Sequence, residues 1–180
     1  MRLALLSFAC GFVLAACASP EPTTVQLVPA ESLQALLPAA LDSFQVAADT
    51  VYRGYFGEGD SAVAVVTASR TYGPGTGVVS LNLSSTDATA RYAALSGAPE
   101  VPDTLVAADS TLRRAANAGW TVYQVGGGVM LLHPQGRAAE VRALLPPFMF
   151  QGLRHLDLDG LLAARPIATE IDSTFARTVE

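Results

Sequence analysis

The sequence predicts an α+β fold: a single domain on an antiparallel sheet of about five strands with several short helices. Three observations lead there. Apolar and polar residues alternate over short segments, Gly- and Pro-rich turns separate those segments, and helical patterns lie between groups of strands rather than after each strand. Adjacent strands with helices set apart favour α+β over a parallel α/β sheet. The chain has 180 residues without a shift in composition, which is room for one domain. A domain of that size needs no metal or disulfide staple to fold.

Residues 31–37 (ESLQALL) place Leu33, Leu36 and Leu37 on one helical face, and Pro38 ends the segment. Three strands follow. Residues 49–56 are rich in aromatic and β-branched types, and 62–72 carry Val63, Val65, Val66, Thr67 and Thr71. Residues 78–83 alternate, with Val79, Leu81 and Leu83 inward against Ser80 and Asn82 outward. The turns GEGD (57–60) and GPGT (73–76) make an antiparallel meander the economical arrangement. A helix starts near Ser85 or Thr86, with Asp87 in its first turn against the positive helix end. Ala88, Tyr92 and Leu95 share its face and Gly97 stops it.

Residues 98–103 contain two prolines and form a loop. A short helix over 110–117 has Asp109 as its cap, Arg113 and Arg114 near its end, and Gly119 beyond. Residues 120–125 and 129–132 then form a strand pair across Gly126-Gly127-Gly128. Residues 137–145 follow as a helix with Val141, Leu144 and Leu145 inward, stopped by Pro146-Pro147, and 157–164 form one more. From Pro166 onward no clear periodicity remains, and the tail reads as loose. The order strand–strand–helix occurs over 62–95 and again over 120–145, without matching residues that would make it a repeat.

The N-terminal segment carries an address. Met1-Arg2 is a short positive region, and Leu3 to Leu14 form an apolar run broken by Ser7, Cys10 and Gly11. That run is shorter than the roughly 20 apolar residues of a membrane-spanning helix, and it suits the apolar region of a secretory signal. Directly behind it, Leu14-Ala15-Ala16-Cys17 resembles the lipobox of bacterial lipoprotein precursors: a large aliphatic residue, two small ones and an obligatory cysteine. The resemblance implies a diacylglyceryl group on the Cys17 thiol, cleavage before Cys17 and acylation of the new amino group. Two or more acyl chains anchor firmly, each buried methylene adding about 0.8 kcal/mol. Ala18 in place of Asp implies the outer membrane, facing the periplasm, if the organism has two membranes. Ala16-Cys17-Ala18 also satisfies the small-x-small pattern of ordinary signal cleavage, which would release a soluble protein. On either route Cys10 leaves with the leader, so the mature chain contains no cysteine pair. The expected plan is a signal peptide over 1–16, lipidated Cys17 with a flexible tether over 17–27, a globular domain over 28–165 and a tail over 166–180.

Composition removes several chemistries. All 11 basic residues are Arg. Without Lys, a Schiff base, a phosphate-loop lysine and a lysine general base are excluded. A formal charge of −5 argues against a nucleic-acid partner. His155-Leu156-Asp157-Leu158-Asp159-Gly160 opens like a calcium loop, but placing Gly160 at its glycine position puts Pro166 where a bidentate Glu is required. The stretch reads instead as a helix N-terminus, capped by Asp157 with Asp159 in the first turn. Gly73-x-Gly75-x-Gly77 and Gly126-Gly127-Gly128 precede apolar strand patterns rather than helices, so they read as hairpin turns and not phosphate loops.

His133 and His155 are the two imidazoles. No Gly-x-Ser-x-Gly elbow and no His-x-x-x-His spacing builds a serine triad or a zinc set around them. His133, between Leu132 and Pro134, reads as a strand-end residue. No catalytic, metal-binding or cofactor-binding residue is marked out, and no cofactor is implied. Phe148-Met149-Phe150 is the densest large apolar cluster outside the leader; it reads either as packed into the core or as an exposed lip.

The resulting expectation is a membrane-anchored envelope lipoprotein that acts as a non-catalytic binding or assembly module. Its partners would be the membrane, through lipid on Cys17, and an envelope protein. Two alternatives stand beside it: a carboxylate-based hydrolase of envelope polymers, and a carrier of a small apolar ligand. Geometry discriminates among them. A polar cleft joining His133 or His155 to acidic residues favours the hydrolase, and an enclosed apolar pocket favours the carrier. A flat sheet face or an exposed lip at 148–150 favours the binding module.

Overall fold

The computed structural model describes residues 23–74 and 78–171. Cys10, Cys17 and the segment expected to be a signal peptide lie outside the described residues. Within them the chain forms β1 (Thr23–Leu27), α1 (Ala30–Ala35), β2 (Ala40–Leu41), β3 (Phe44–Phe56), β4 (Val63–Tyr72) and β5 (Val79–Thr86). Three helices come next: α2 (Thr89–Ser96), α3 (Asp103–Ala108) and α4 (Ser110–Asn117). The chain then makes β6 (Thr121–Val125), β7 (Gly128–His133), β8 (Arg137–Ala143), α5 (Pro146–Arg154), α6 (Leu158–Ala163) and β9 (Ile167–Ile171). The fold is α+β. Its main sheet is antiparallel and seven-stranded, in the order β2-β3-β4-β5-β8-β7-β6, and β1 pairs with β9 in a separate two-stranded ribbon.

Two meanders, β3-β4-β5 and β6-β7-β8, are thus joined along β5 and β8, in register from Val79↔Ala143 to Ser85↔Arg137. Period-two alternation gives the sheet two unlike faces. One face carries Val66 and Tyr72, Leu81 and Leu83, Ala139 and Val141, all buried. Over it lie α1, α4, α5, α6 and the β1/β9 ribbon, which contribute buried Leu33, Leu112, Leu153, Leu161 and Leu27. Removing each such leucine from water is worth roughly 1.5–3 kcal/mol. Gly152 lets α5 approach closely, since a Cβ there would stand 2.7 Å from Val141 Cγ1.

Buried polar groups tie these elements down. Arg137 is 5% exposed and donates to the carbonyls of Leu161 (3.2 Å), Ala164 (3.0 Å) and Gln135 (3.0 Å). Ser85 accepts from Val28 N–H at 3.0 Å, fixing the exit of β1. Arg70 bonds both oxygens of Asp49 (2.6 and 2.8 Å) and the Leu37 carbonyl (2.8 Å). Tyr72 donates to the Pro38 carbonyl at 2.7 Å. Together the last two hold the end of α1 on the sheet.

Several sequence expectations need correction. Residues 137–145, expected as a helix, form strand β8. The segment satisfies both periods: Ala139 and Val141 alternate with Ala138 and Glu140 as cleanly as Val141 and Leu145 recur at helical spacing. Hydrogen bonding between β5 and β7 selects the strand. Leu144 and Leu145, expected inward, are 73% and 55% exposed. Pro146-Pro147 does not stop a helix but begins α5, where a proline's missing N–H costs nothing.

The helix expected from Ser85 or Thr86 starts at Thr89, because Asp87 accepts from Ala64 N–H at 3.1 Å and so belongs to the sheet edge. Part of the tether over 17–27 and part of the tail over 166–180 are ordered as β1 and β9, since each supplies the other's backbone partners. That pairing carries regular structure beyond both limits of the expected domain over 28–165. Other local readings match. Asp109 caps α4 through Thr111 and Leu112 N–H, Asp157 caps α6 through Gly160 N–H, and Gly126-Gly127 turns β6 into β7.

Candidate functional site

The second face of the main sheet is hydroxyl-rich and only partly covered. Its side chains come from the alternate positions of β4, β5 and β8. Cross-strand register aligns them in rows: Tyr52, Thr67, Ser84 and Ala138; then Ser69, Asn82, Glu140 and Met130; then Thr71, Ser80 and Arg142. Helix α2 lies across one side of this face and packs Tyr92 and Ala93 on buried Met130, Leu132 and Ala138. Between α2 and β3 remains a groove of about 450 Å³.

Its floor is a connected polar network. Glu140 is held at both carboxylate oxygens, by Arg142 Nε at 2.6 Å and by Asn82 Nδ2 at 2.9 Å. Ser80 Oγ donates to Asn82 Oδ1 at 3.4 Å, and the hydroxyls of Thr67 and Ser84 lie 2.8 Å apart. The wall is aromatic. Phe56 and Tyr92 meet at 5.2 Å between ring centres with their planes tilted by 50°, and Tyr52 stands beside them with its hydroxyl donating to the Tyr55 carbonyl at 2.8 Å. Burial pushes the Tyr92 phenol above its ordinary pKa, and the Glu140 carboxylate adds to the shift. The phenol is therefore neutral at physiological pH.

Chemically the groove offers donors and acceptors in fixed register beside flat apolar surface. It contains no imidazole, and the Glu140 oxygens are occupied by charge and amide partners. That suits recognition better than proton transfer, which needs a carboxylate free to take the proton.

The histidines lie elsewhere. His133 ends β7, as its sequence context suggests. Its ring lies 5.2 Å from that of buried Trp120, and its Nδ1 accepts from Gln135 N–H at 3.3 Å. The Trp120 indole N–H is buried without a hydrogen-bond partner among the described residues. His155 reaches Asp42 at 3.1 Å, with the side chains 35% and 56% exposed. Gln151 donates to the other Asp42 oxygen, so this pair ties α5 to the β2–β3 turn at the surface. Among the described residues no group of three or more His, Cys, Asp and Glu converges as a metal site would require.

A second concavity of about 580 Å³ opens between α3–α4 and α5. Leu105, Leu112, Val129, Leu144, Met149 and Phe150 line much of it, together with Asp109 and Gln124. The cluster at 148–150 divides here. Phe148 packs edge-on against Phe44 at 5.3 Å, Met149 is half-buried, and Phe150 is 39% exposed on the rim.

Sequence reasoning placed Ser80 and Asn82 on the outward face but found neither Glu140 nor Arg142. Their signal is the alternation of 137–143; as a strand beside β5, that segment sets Glu140 opposite Asn82 and Arg142 opposite Ser80. Tyr52 and Tyr92 carry no local mark, because β3 and α2 meet them only through the sheet. Comparisons with protein-family models, with curated proteins and with solved structures find no match to this chain.

Proposed function

We propose that this chain is an envelope lipoprotein, anchored through lipid on Cys17, whose domain is a non-catalytic binding module working from the open face of its sheet. The observation that carries the binding role is the Asn82–Glu140–Arg142 network, held in fixed register on the strands beside an aromatic wall. A site on strands holds its geometry without the ordering cost a loop would incur. The anchor rests on the lipobox resemblance and concentrates the module near partners at the membrane. By that reading it faces the periplasm from the outer membrane if the organism has two membranes, with an envelope component as its partner.

Two experiments test these halves separately. Cys17→Ser should abolish lipid processing and move the chain out of the membrane fraction; unchanged fractionation would remove the anchor from the proposal. A photo-reactive residue in place of Arg142, activated in the native envelope, should give a distinct adduct. No adduct, together with turnover of envelope polymers by the chain, would replace the binding module with the hydrolase.

A second reading has its own observation. The cleft between α3–α4 and α5, open rather than enclosed but rich in apolar side chains, is the feature that favours a carrier of a small apolar ligand. It predicts that a fluorescent fatty acid binds saturably and is displaced when Leu112→Asp fills the cleft with charge. Linear, non-saturable uptake would leave the cleft as a packing feature.

A further inference from the structure

We propose that the groove on the open sheet face binds a neutral saccharide; this deepens the binding-module reading and rests on it. The argument runs from what the groove's two surfaces require of one ligand. Its floor demands hydrogen bonding along its length: Thr67, Ser80, Asn82 and Glu140, all half-buried, present hydroxyl, amide and carboxylate groups side by side. Each keeps donor or acceptor capacity beyond the bond it makes to its neighbour, and covering that capacity with an acyl chain would strip it of water without replacement. Its wall demands the reverse, since Phe56, Tyr92 and Tyr52 offer ring surface.

Three other ligand classes fit poorly. A phosphorylated or strongly anionic ligand would need uncompensated positive charge, but Arg142 is already neutralised by Glu140 at 2.6 Å, and the chain carries −5 overall. An extended peptide adding to the sheet would need an open strand edge. The strands that make the floor, β4, β5 and β8, are each paired on both sides. A purely aromatic ligand would leave the floor unanswered.

A pyranose unit meets both demands. Its ring hydroxyls donate and accept at once, matching a floor where donors and acceptors alternate, and its C–H face lies flat on an aromatic ring. Neighbouring strands repeat at roughly 4.8 Å, close to the length of one such ring, so side chains of successive strands can address hydroxyls at opposite ends of one ring. The groove's volume of about 450 Å³ falls within the roughly 300–1,000 Å³ typical of small-molecule sites. Arg142, 57% exposed, stands at the open side, where a longer chain of sugars would leave the groove.

The test is calorimetric titration of the full-length chain, in a detergent without a sugar headgroup, with maltotetraose, cellotetraose and the β-1,4-linked tetramer of N-acetylglucosamine. At least one should bind saturably. Tyr52→Ala and Asn82→Ala should each weaken that binding by about tenfold or more, with circular dichroism unchanged. Arg113→Ala, exposed on α4, should leave it unaltered. Absence of binding by all three sugars, or groove variants that bind as the unaltered chain does, overturns the saccharide assignment. Should the sugars fail while a photo-reactive residue in place of Arg142 captures an envelope protein, the saccharide is wrong and the binding module stands. If both fail, the binding module falls with it.

Discussion

Strand β8 carries two arginines that leave it on opposite faces, and the two surroundings use the same side chain in opposite ways. Arg137 points into the covered face, where it is 5% exposed and donates to carbonyl oxygens at the end of α6 and in the β7–β8 turn. Burial lowers its pKa, as the cost of keeping charge away from water demands. Arg142 points to the open face, with 57% of its side chain exposed and Glu140 as its partner. Two serines of β5 repeat the contrast: Ser85 is consumed by Val28 N–H and by Arg137, whereas half-buried Ser80 meets Asn82 on the floor of the groove. Polar groups on the covered face hold the fold together. Those on the open face are held in place by the fold, and a ligand can reach them.

The largest test of that contrast is Arg137→Ala. Removing the guanidinium strands several buried carbonyls, each costing about 1–3 kcal/mol when left unmet. The expected loss is about 3 kcal/mol or more in urea unfolding. Arg137→Lys should recover only a small part, because one ammonium cannot span acceptors set around a planar fork. A loss no greater than that of Arg142→Ala would erase the distinction between the faces.

Next comes Gly152→Leu, which probes how tightly the covered face is closed. Its side chain would press on Val141, Leu81 and Val79, whose nearest atoms stand 2.7, 3.1 and 3.1 Å from the first added carbon. Overpacking of this kind is expected to cost about 1–3 kcal/mol, read by the same denaturant midpoint. Ser80→Ala on the groove floor should cost well under about 1 kcal/mol.

Alkaline titration gives a smaller effect on both faces. Burial pushes Tyr72 up to about 12, against the pull of Arg70 in the other direction. The folded state therefore favours the protonated phenol. Stability from this group is intact below the unfolded pKa of about 10, and it is lost as pH rises from there through about 12. Tyr72→Phe should flatten that limb of the stability–pH curve. Tyr92, raised in the same sense on the open face, should contribute a separate portion removed by Tyr92→Phe.

The smallest expected change is that of Arg142→Ala. An ion pair so exposed contributes below about 1 kcal/mol to stability, so thermal melting should barely move. On the proposed reading its consequence belongs to ligand binding, and a large drop in stability would mean that the open face is structural after all.

The features legible in the sequence are those decided within a few residues. Asp109 and Asp157 cap helices because a carboxylate can reach amides two or three positions ahead. Val79, Leu81 and Leu83 face inward because a strand turns alternate side chains to opposite sides. The resemblance of Leu14-Ala15-Ala16-Cys17 to a lipobox is local in the same way. Residues 137–145 mark the limit, since their pattern satisfies a helix and a strand equally and only the space beside β5 chooses between them. The groove depends on that choice. Asn82 and Glu140 lie 58 positions apart in the chain and meet at 2.9 Å because β8 docks on β5 in one register. Local chemistry in the sequence thus determined the caps, the turns and the inward positions. The tertiary structure alone decided which outward residues became neighbours, because strand register is set by the packing of the whole sheet.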